Sequence, residues 1–324
     1  MEASVVGFVL FFKKSAVKNP RRIIGLFALV ALTAGSGFAQ PRMRGGYGGY
    51  GGGADNGPMV QTEGGVLVNE DTVRTARETA SHSTGTPEWS NPREFEKDVF
   101  TFARILYKAK LGSRGYRAAW MGWLNDYPDS DLNLSYRLQQ LTSLRVDPDA
   151  RVIRLTSPEL ADFPFIYMVK AGRMELRNEE VPILRKYLLN GGALMADDFW
   201  GEDEWASFEQ EMKRVLPERH WVDLPKAHAV FHCVFNVDKD QLQVPPIHVF
   251  ERTGSSSRNG EATKEMHVRA WLDDKERIMI IATHNTDNGD GWEREGEEHE
   301  YFEKFSEGRA YPLAINIVFY LMTH

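Results

Sequence analysis

The run NEEVPILRKYLLNGGALMADDFWGEDEWASFEQEM, Asn178 to Met212, holds a helix, a stop, a strand and a second helix. Val181, Leu184 and Leu188 fall on one helical stripe, with Asn178 in the capping position and Glu179 and Glu180 at the positive end of the dipole. Asn190-Gly191 supplies the left-handed stop. ALMA, residues 193–196, follows without a polar side chain, as a strand covered on both faces requires. Trp205, Phe208, Met212 and Val215 then recur at helical spacing. Helix, apolar strand and helix in succession predict a mostly parallel α/β sheet wrapped on both faces.

The flanking sequence extends the pattern. VFTFARILY, RVIRL and FPFIYMV read as strands on the amino-terminal side, and DLNLSYRLQQLTSL reads as a helix with Asp131 as its cap. Downstream, HAVFHCVFN, PIHVFE, HVRAWL and RIMIIA read as strands, the later ones as antiparallel additions or a hairpin edge. YPLAINIVFYLM reads as a closing helix with Pro312 in its first turn. The α/β domain is therefore expected over residues 98–324. Residues 59–97 read as a polar, loosely attached segment in which NEDTVRTARETAS forms a helix capped by Asn69.

Ahead of these lie two stretches of different texture. Lys13, Lys14, Lys18, Arg21 and Arg22 precede the apolar run IIGLFALVALTA, and Gly37 and Ala39 offer the small residues of a cleavage site. Residues 1–39 are expected to be a signal peptide, so the chain is expected to be exported to the periplasm or beyond, with no membrane span after cleavage. An uncleaved anchor is the alternative. Residues 40–58 are Gly-rich and read as a flexible linker. Without residues 1–39 the chain keeps 34 basic and 45 acidic side chains, a net charge of −11. That balance argues against a nucleic-acid partner. The single cysteine, Cys233, excludes an internal disulfide and cysteine-rich zinc sites.

Ligands of such sheets gather beyond the carboxyl ends of the strands. FIYMV runs into Lys170, ALMA into Asp197, Asp198 and Trp200, and RIMIIA into His284, Asn285 and Asp287. If the strands are parallel, these clusters share one rim. Neighbouring strand residues point to opposite sides, so one of the two aspartates, Asp198, is expected to face the cleft. The alternative role for the pair is helix capping. His284, where a strand breaks into a polar loop, is the candidate acid–base residue. Asp198, Trp200, Asn285, Asp287 and Trp292 are the candidate ligand-binding residues. Residues 286–297 follow a helix-loop-helix calcium loop only in part, with Thr286 in place of the first Asp. A less regular divalent cation site from Asp287, Asp290 and Glu293 is the remaining metal expectation. No nucleophile elbow, His-Glu-x-x-His helix or phosphate loop is present.

The ordered motifs FTFARILY, DYPDSDLNLSYRLQQLTSL, DFPFIYMV, LLNGGALMADDFWGEDEW, FHCVFN, HNTDNGDGWEREGE and YPLAINIVFYLMTH resemble the bacterial domain-of-unknown-function family 4159 from about Asp98 to His324. The resemblance implies a three-layer, flavodoxin-like fold similar to class I glutamine amidotransferases. The elbow cysteine and its following His-x-Glu are missing, which sets glutaminase chemistry aside. The expected function is an exported module that binds a polar ligand or a cell-envelope protein at the rim. A metal-dependent hydrolase acting on an envelope glycan or peptide is the alternative.

Overall fold

A seven-stranded sheet organises the chain, whose computed structural model describes residues 59–95, 98–110 and 122–324. The signal-peptide and linker expectations, residues 1–58, lie outside the described residues. Strands β1 (Met59–Gln61) and β2 (Leu67–Asn69) form a separate small hairpin. The main sheet contains β3 (Ala103–Ile105), β5 (Arg151–Ile153), β6 (Phe165–Val169), β8 (Ala193–Phe199), β9 (Val222–Asp223), β10 (His267–Leu272) and β11 (Ile278–His284). Two short strands, β4 (Lys108–Ala109) and β7 (Met174–Glu175), pair beside it. The order is β5-β3-β6-β8-β11-β10-β9, and the first five strands are mutually parallel. β10 turns back antiparallel against β11, so the expected hairpin edge is present. Asp273 holds its turn by accepting from the backbone N–H groups of Lys275 (2.8 Å) and Arg277 (2.9 Å).

Helices α1 (Asp129–Leu141), α2 (Glu180–Leu189), α3 (Gly201–Val215), α4 (Ile247–Thr253), α5 (Asn288–Glu293), α6 (His299–Tyr301) and α7 (Tyr311–Thr323) complete the domain. α2 packs with α3, whereas α1, α5 and α7 pack with one another, an arrangement compatible with a three-layer sandwich. β6, β8 and β11 are buried along their whole length, as strands covered on both faces must be. No helix among the described residues is long and apolar enough to cross a membrane.

Several local expectations differ from the structure. Asn178 does not cap α2; it accepts from Arg214 Nη2 at 2.9 Å, while Glu180 takes the backbone N–H of Arg177 at 2.7 Å. HAVFHCVFN is not a strand. Asn316 of α7 takes the N–H groups of Val234 (3.1 Å) and Phe235 (2.8 Å) and donates to the Phe235 carbonyl (2.8 Å), so a side chain replaces a ladder partner. PIHVFE is helical in α4. Pro245 and Pro246 offer no N–H to a ladder, and Gly254 at φ 67 closes the helix. NEDTVRTARETAS is not the expected α-helix either; only Ala76–Glu78 makes a 3-10 turn. The segment's backbone bonds to the edge of the domain, with Ala76 N to Asp149 O (3.0 Å) and Val152 N to Arg74 O (2.9 Å).

Candidate functional site

The reversals after β8 and β11 meet at the carboxyl ends of these neighbouring parallel strands. Asp197 Oδ2 accepts from the backbone N–H groups of Asn288 (3.0 Å) and Gly289 (3.2 Å). Its Oδ1 accepts from Asn288 Nδ2 (2.8 Å) and Thr283 Oγ1 (2.5 Å). Asp197 thus fastens β8 to the first turn of α5. Burial pushes its carboxyl up to about 6, with Asp198 adding to the rise and the Thr283 and Asn288 donors opposing it. A raised folded value contributes stability that is complete below the ordinary 3.8 and is lost as pH rises through about 6. Asp197→Ala therefore destabilises the chain by about 1–3 kcal/mol for the stranded donors. Urea denaturation is expected to show about 1–2 kcal/mol more loss at pH 5 than at pH 7.5. Equal losses at the two pH values would refute the assignment.

Asp198 turns the other way, as strand alternation demands. It is fully buried and pairs with Nζ of Lys170, the residue that follows β6. Asn125 Nδ2 (3.0 Å) and Trp200 Nε1 (2.9 Å) also donate to it. Burial favours a neutral Lys170 amine, but Asp198 and Asp287 outweigh it and hold the ammonium. Lys170 and Asp198 both have positive φ, 50° and 54°, a conformation uncommon outside glycine.

Arg104, in β3, organises the loop before α1. Its Nε donates to Asp131 Oδ1 (3.0 Å) and Oδ2 (2.8 Å), and its Nη2 donates to Ser130 Oγ (2.8 Å) and to Asp131. Its Nη1 reaches the carbonyls of Trp123 and Asn125, both at 2.9 Å. The guanidinium lies 5.2 Å from the Tyr167 ring centre. Asp131 is therefore an ion-pair partner and not the cap of α1. Arg104 was not singled out in the sequence because its charge sits inside the apolar run VFTFARILY.

The loop that Arg104 holds delivers Asp126 to the rim. Asp126, Asp287 and Asp290 are all buried and each offers a carboxylate oxygen within 4.8 Å of the others. Burial pushes the Asp126 and Asp287 carboxyls well above the ordinary range, and neighbouring carboxylates push them further. Burial and Glu293 likewise raise Asp290 to about 7. These three residues line a cavity of ≈ 640 Å³ together with Lys170, His248 and Arg258. Gln61, Thr62, Glu63 and Gly65 close it from the β1–β2 hairpin. Among the described residues, the side chains of Arg258 and His248 make no hydrogen bond or ion pair. A larger groove of ≈ 970 Å³ runs beside β9, but its charges pair among themselves, as in Lys239–Asp223 and Lys226–Asp240. A hollow of ≈ 420 Å³ around Asn190–Gly192 lies at the amino ends of β6 and β8.

Of residues 59–97, expected to be loosely attached, the described part is tied to this rim. His82 Nδ1 lies 3.1 Å from Asp129 Oδ2, and its Nε2 lies 2.5 Å from Glu293 Oε1. Thr84 Oγ1 donates to the Glu295 carbonyl at 2.7 Å. Glu293 is thus engaged by His82, and by Arg294 Nε at 2.7 Å, apart from the Asp126–Asp287–Asp290 group.

The other sequence candidates are distributed unevenly. His284 is wholly buried, with Nε2 3.0 Å from the Gly201 carbonyl. Its ring packs against Phe199 (5.1 Å between ring centres) and Trp205 (5.3 Å), and burial lowers it to about 4. That is a packing position and not one lining the cavity. Asn285 accepts from Gly201 N (2.8 Å) and donates to the Glu265 carbonyl (2.8 Å), so it ties loops together. Trp292 is buried against Tyr167 (5.5 Å) and Phe102 (6.4 Å). Trp200 is buried, its indole N–H spent on Asp198. Residues 288–293 form α5, which rules out a regular calcium loop there.

With this geometry in place, the comparison with protein families is decisive on one point. The model of the Domain of unknown function (DUF4159) family matches residues 101–322. The chain belongs to this family. No curated protein matches it. The DUF4159 match begins just before β3 and ends within α7, so it includes Arg104, Asp126, Lys170, Asp198, Asp287 and Asp290 but not the segment around His82.

Proposed function

We propose that the chain is an exported binding protein whose DUF4159 domain takes up a small polar ligand, or a polar group of an envelope partner, in the rim cavity. The observation that carries this reading is the cavity's composition. Charges of both signs converge from the segments after β3, β6, α4 and β11, at the end of the sheet where α/β folds bind ligands. The parallel strands run second-first-third-fourth-fifth in chain order, the flavodoxin-like order, which supports a flavodoxin-like and glutamine amidotransferase-like fold. The absent nucleophile elbow favours binding over acyl transfer. A hydrolase using His284 as its base finds no support in a buried imidazole packed between Phe199 and Trp205.

Thermal shift and calorimetry of the metal-free chain, with short peptides and acidic oligosaccharides as probes, test the reading. A saturable ligand is expected, and Arg258→Ala weakens it about tenfold or more while leaving the melting temperature of the free chain unmoved. Probe binding indifferent to Arg258→Ala, or no binding by any probe, defeats it.

A further inference from the structure

We propose that Asp126, Asp287 and Asp290 form a binding site for a hard divalent cation of calcium's size, an inference that rests on reading the rim cavity as a ligand site. Each carboxylate has one oxygen fixed by a donor. Asn125 Nδ2 donates to Asp126 Oδ1 (2.6 Å), Asp290 N to Asp287 Oδ1 (3.1 Å) and Ile247 N to Asp290 Oδ2 (2.7 Å). Among the described residues, the second oxygen of each accepts no hydrogen bond. Asp126 is 1% exposed, and its Oδ2 is a buried acceptor with no donor, against Gly289 between the other two aspartates in the chain. Buried polar atoms without partners are rare enough to need an explanation. Three anchored carboxylates that leave three oxygens over are such an explanation's raw material.

Among the described residues no cation pairs with the three carboxylates at less than 3.9 Å, although Asp287 and Asp126 help to hold the Lys170 ammonium. Lys170 is paired with Asp198. Arg294 stands 3.9 Å from Asp290 Oδ1 but 2.7 Å from Glu293, and it also pairs with Glu63. The donor set is all oxygen, which selects calcium, magnesium or manganese over softer metals. One carboxylate oxygen from each residue lies within 4.8 Å of the others, close enough to share an ion, and three carboxylates suit calcium better than magnesium, which is usually held by one or two. Gly289 belongs to the site because a Cβ there would stand 2.0 Å from Asp126 Oδ2.

Calorimetric titration of the chelator-treated full chain with calcium chloride, with manganese and magnesium chlorides in parallel, tests this site. One equivalent of calcium is expected to bind. A hundredfold excess over Kd raises the melting temperature by about 5–10 °C. Asp126→Asn and Asp287→Asn each weaken binding about tenfold or more. Gly289→Ala does the same while keeping all three carboxylates, so a folding defect in one aspartate variant does not decide the matter. An unmoved melting temperature and no bound ion overturn the site, as does an Asp126→Asn chain that binds calcium like the parent. The peptide and oligosaccharide arm is read without metal and through Arg258. Failure of the cation site is therefore read separately from failure of ligand binding.

Discussion

Arg104→Met is expected to lower the stability of the chain by about 3–5 kcal/mol, because it strands Asp131 as an unpaired buried charge. Both partners are fully buried, and the guanidinium donates to Asp131, Ser130 and two main-chain carbonyls. Removing it also frees the carbonyls of Trp123 and Asn125, which fix the approach of the chain to Asp126. Urea denaturation measures the loss. The double variant Arg104→Met with Asp131→Leu is expected to recover a large part of it, since an apolar pair replaces a buried ion pair at little net cost. Calcium binding should stay weak in the double variant, because the loop loses its anchor. A loss below about 1 kcal/mol in the single variant would show that water reaches the pair.

Lys170→Met is expected to have an effect of similar size, about 3–5 kcal/mol, for the same physical reason at a different pair. Asp198 is fully buried and would keep only the neutral donors Asn125 and Trp200. Asp198→Asn removes the charge and suits φ 54, a region that Asn tolerates. Combining the two changes should restore most of the loss, giving a coupling energy of about 2 kcal/mol in a double-mutant cycle. Additive losses would mean that Lys170 and Asp198 do not depend on each other.

Legibility of the fold followed from how local the signals are. The α2–β8–α3 unit could be read because its stripe, its Asn190-Gly191 stop and its apolar strand all lie within thirty-odd residues. The hairpin edge at β10–β11 was legible for the same reason. HAVFHCVFN and PIHVFE misled because short apolar runs do not distinguish a strand from a turn or a short helix. What decided the first was remote, the Asn316 side chain, while the second was decided beside the run itself, by the proline pair and the Gly254 stop.

The rim was only half legible. Asp287 and Asp290 could be named because they follow a recognisable strand, whereas Asp198, expected to face the cleft, is spent on Lys170, Asn125 and Trp200 and does not line the cavity. Asp126 and Arg104 could not be named. Asp126 belongs to a loop with no periodic signal, and Arg104 looked like one polar residue in an apolar strand. His284 drew attention by sitting at the end of a strand, yet the aromatic side chains of Phe199 and Trp205 enclose it.

By itself, then, the sequence determined the α/β class, the polar character of one sheet end and the absence of a nucleophile elbow, since periodicity, caps and missing motifs are properties of neighbouring residues. Tertiary structure alone decided which carboxylates share a cavity and which are spent on partners. Asp197 bonds to Asn288, Asp131 to Arg104 and Glu293 to His82, whereas Asp126, Asp287 and Asp290 each keep an oxygen without a hydrogen-bond donor among the described residues. Residues dozens to hundreds of positions apart settle that division, because a buried charge takes its character from what surrounds it in space.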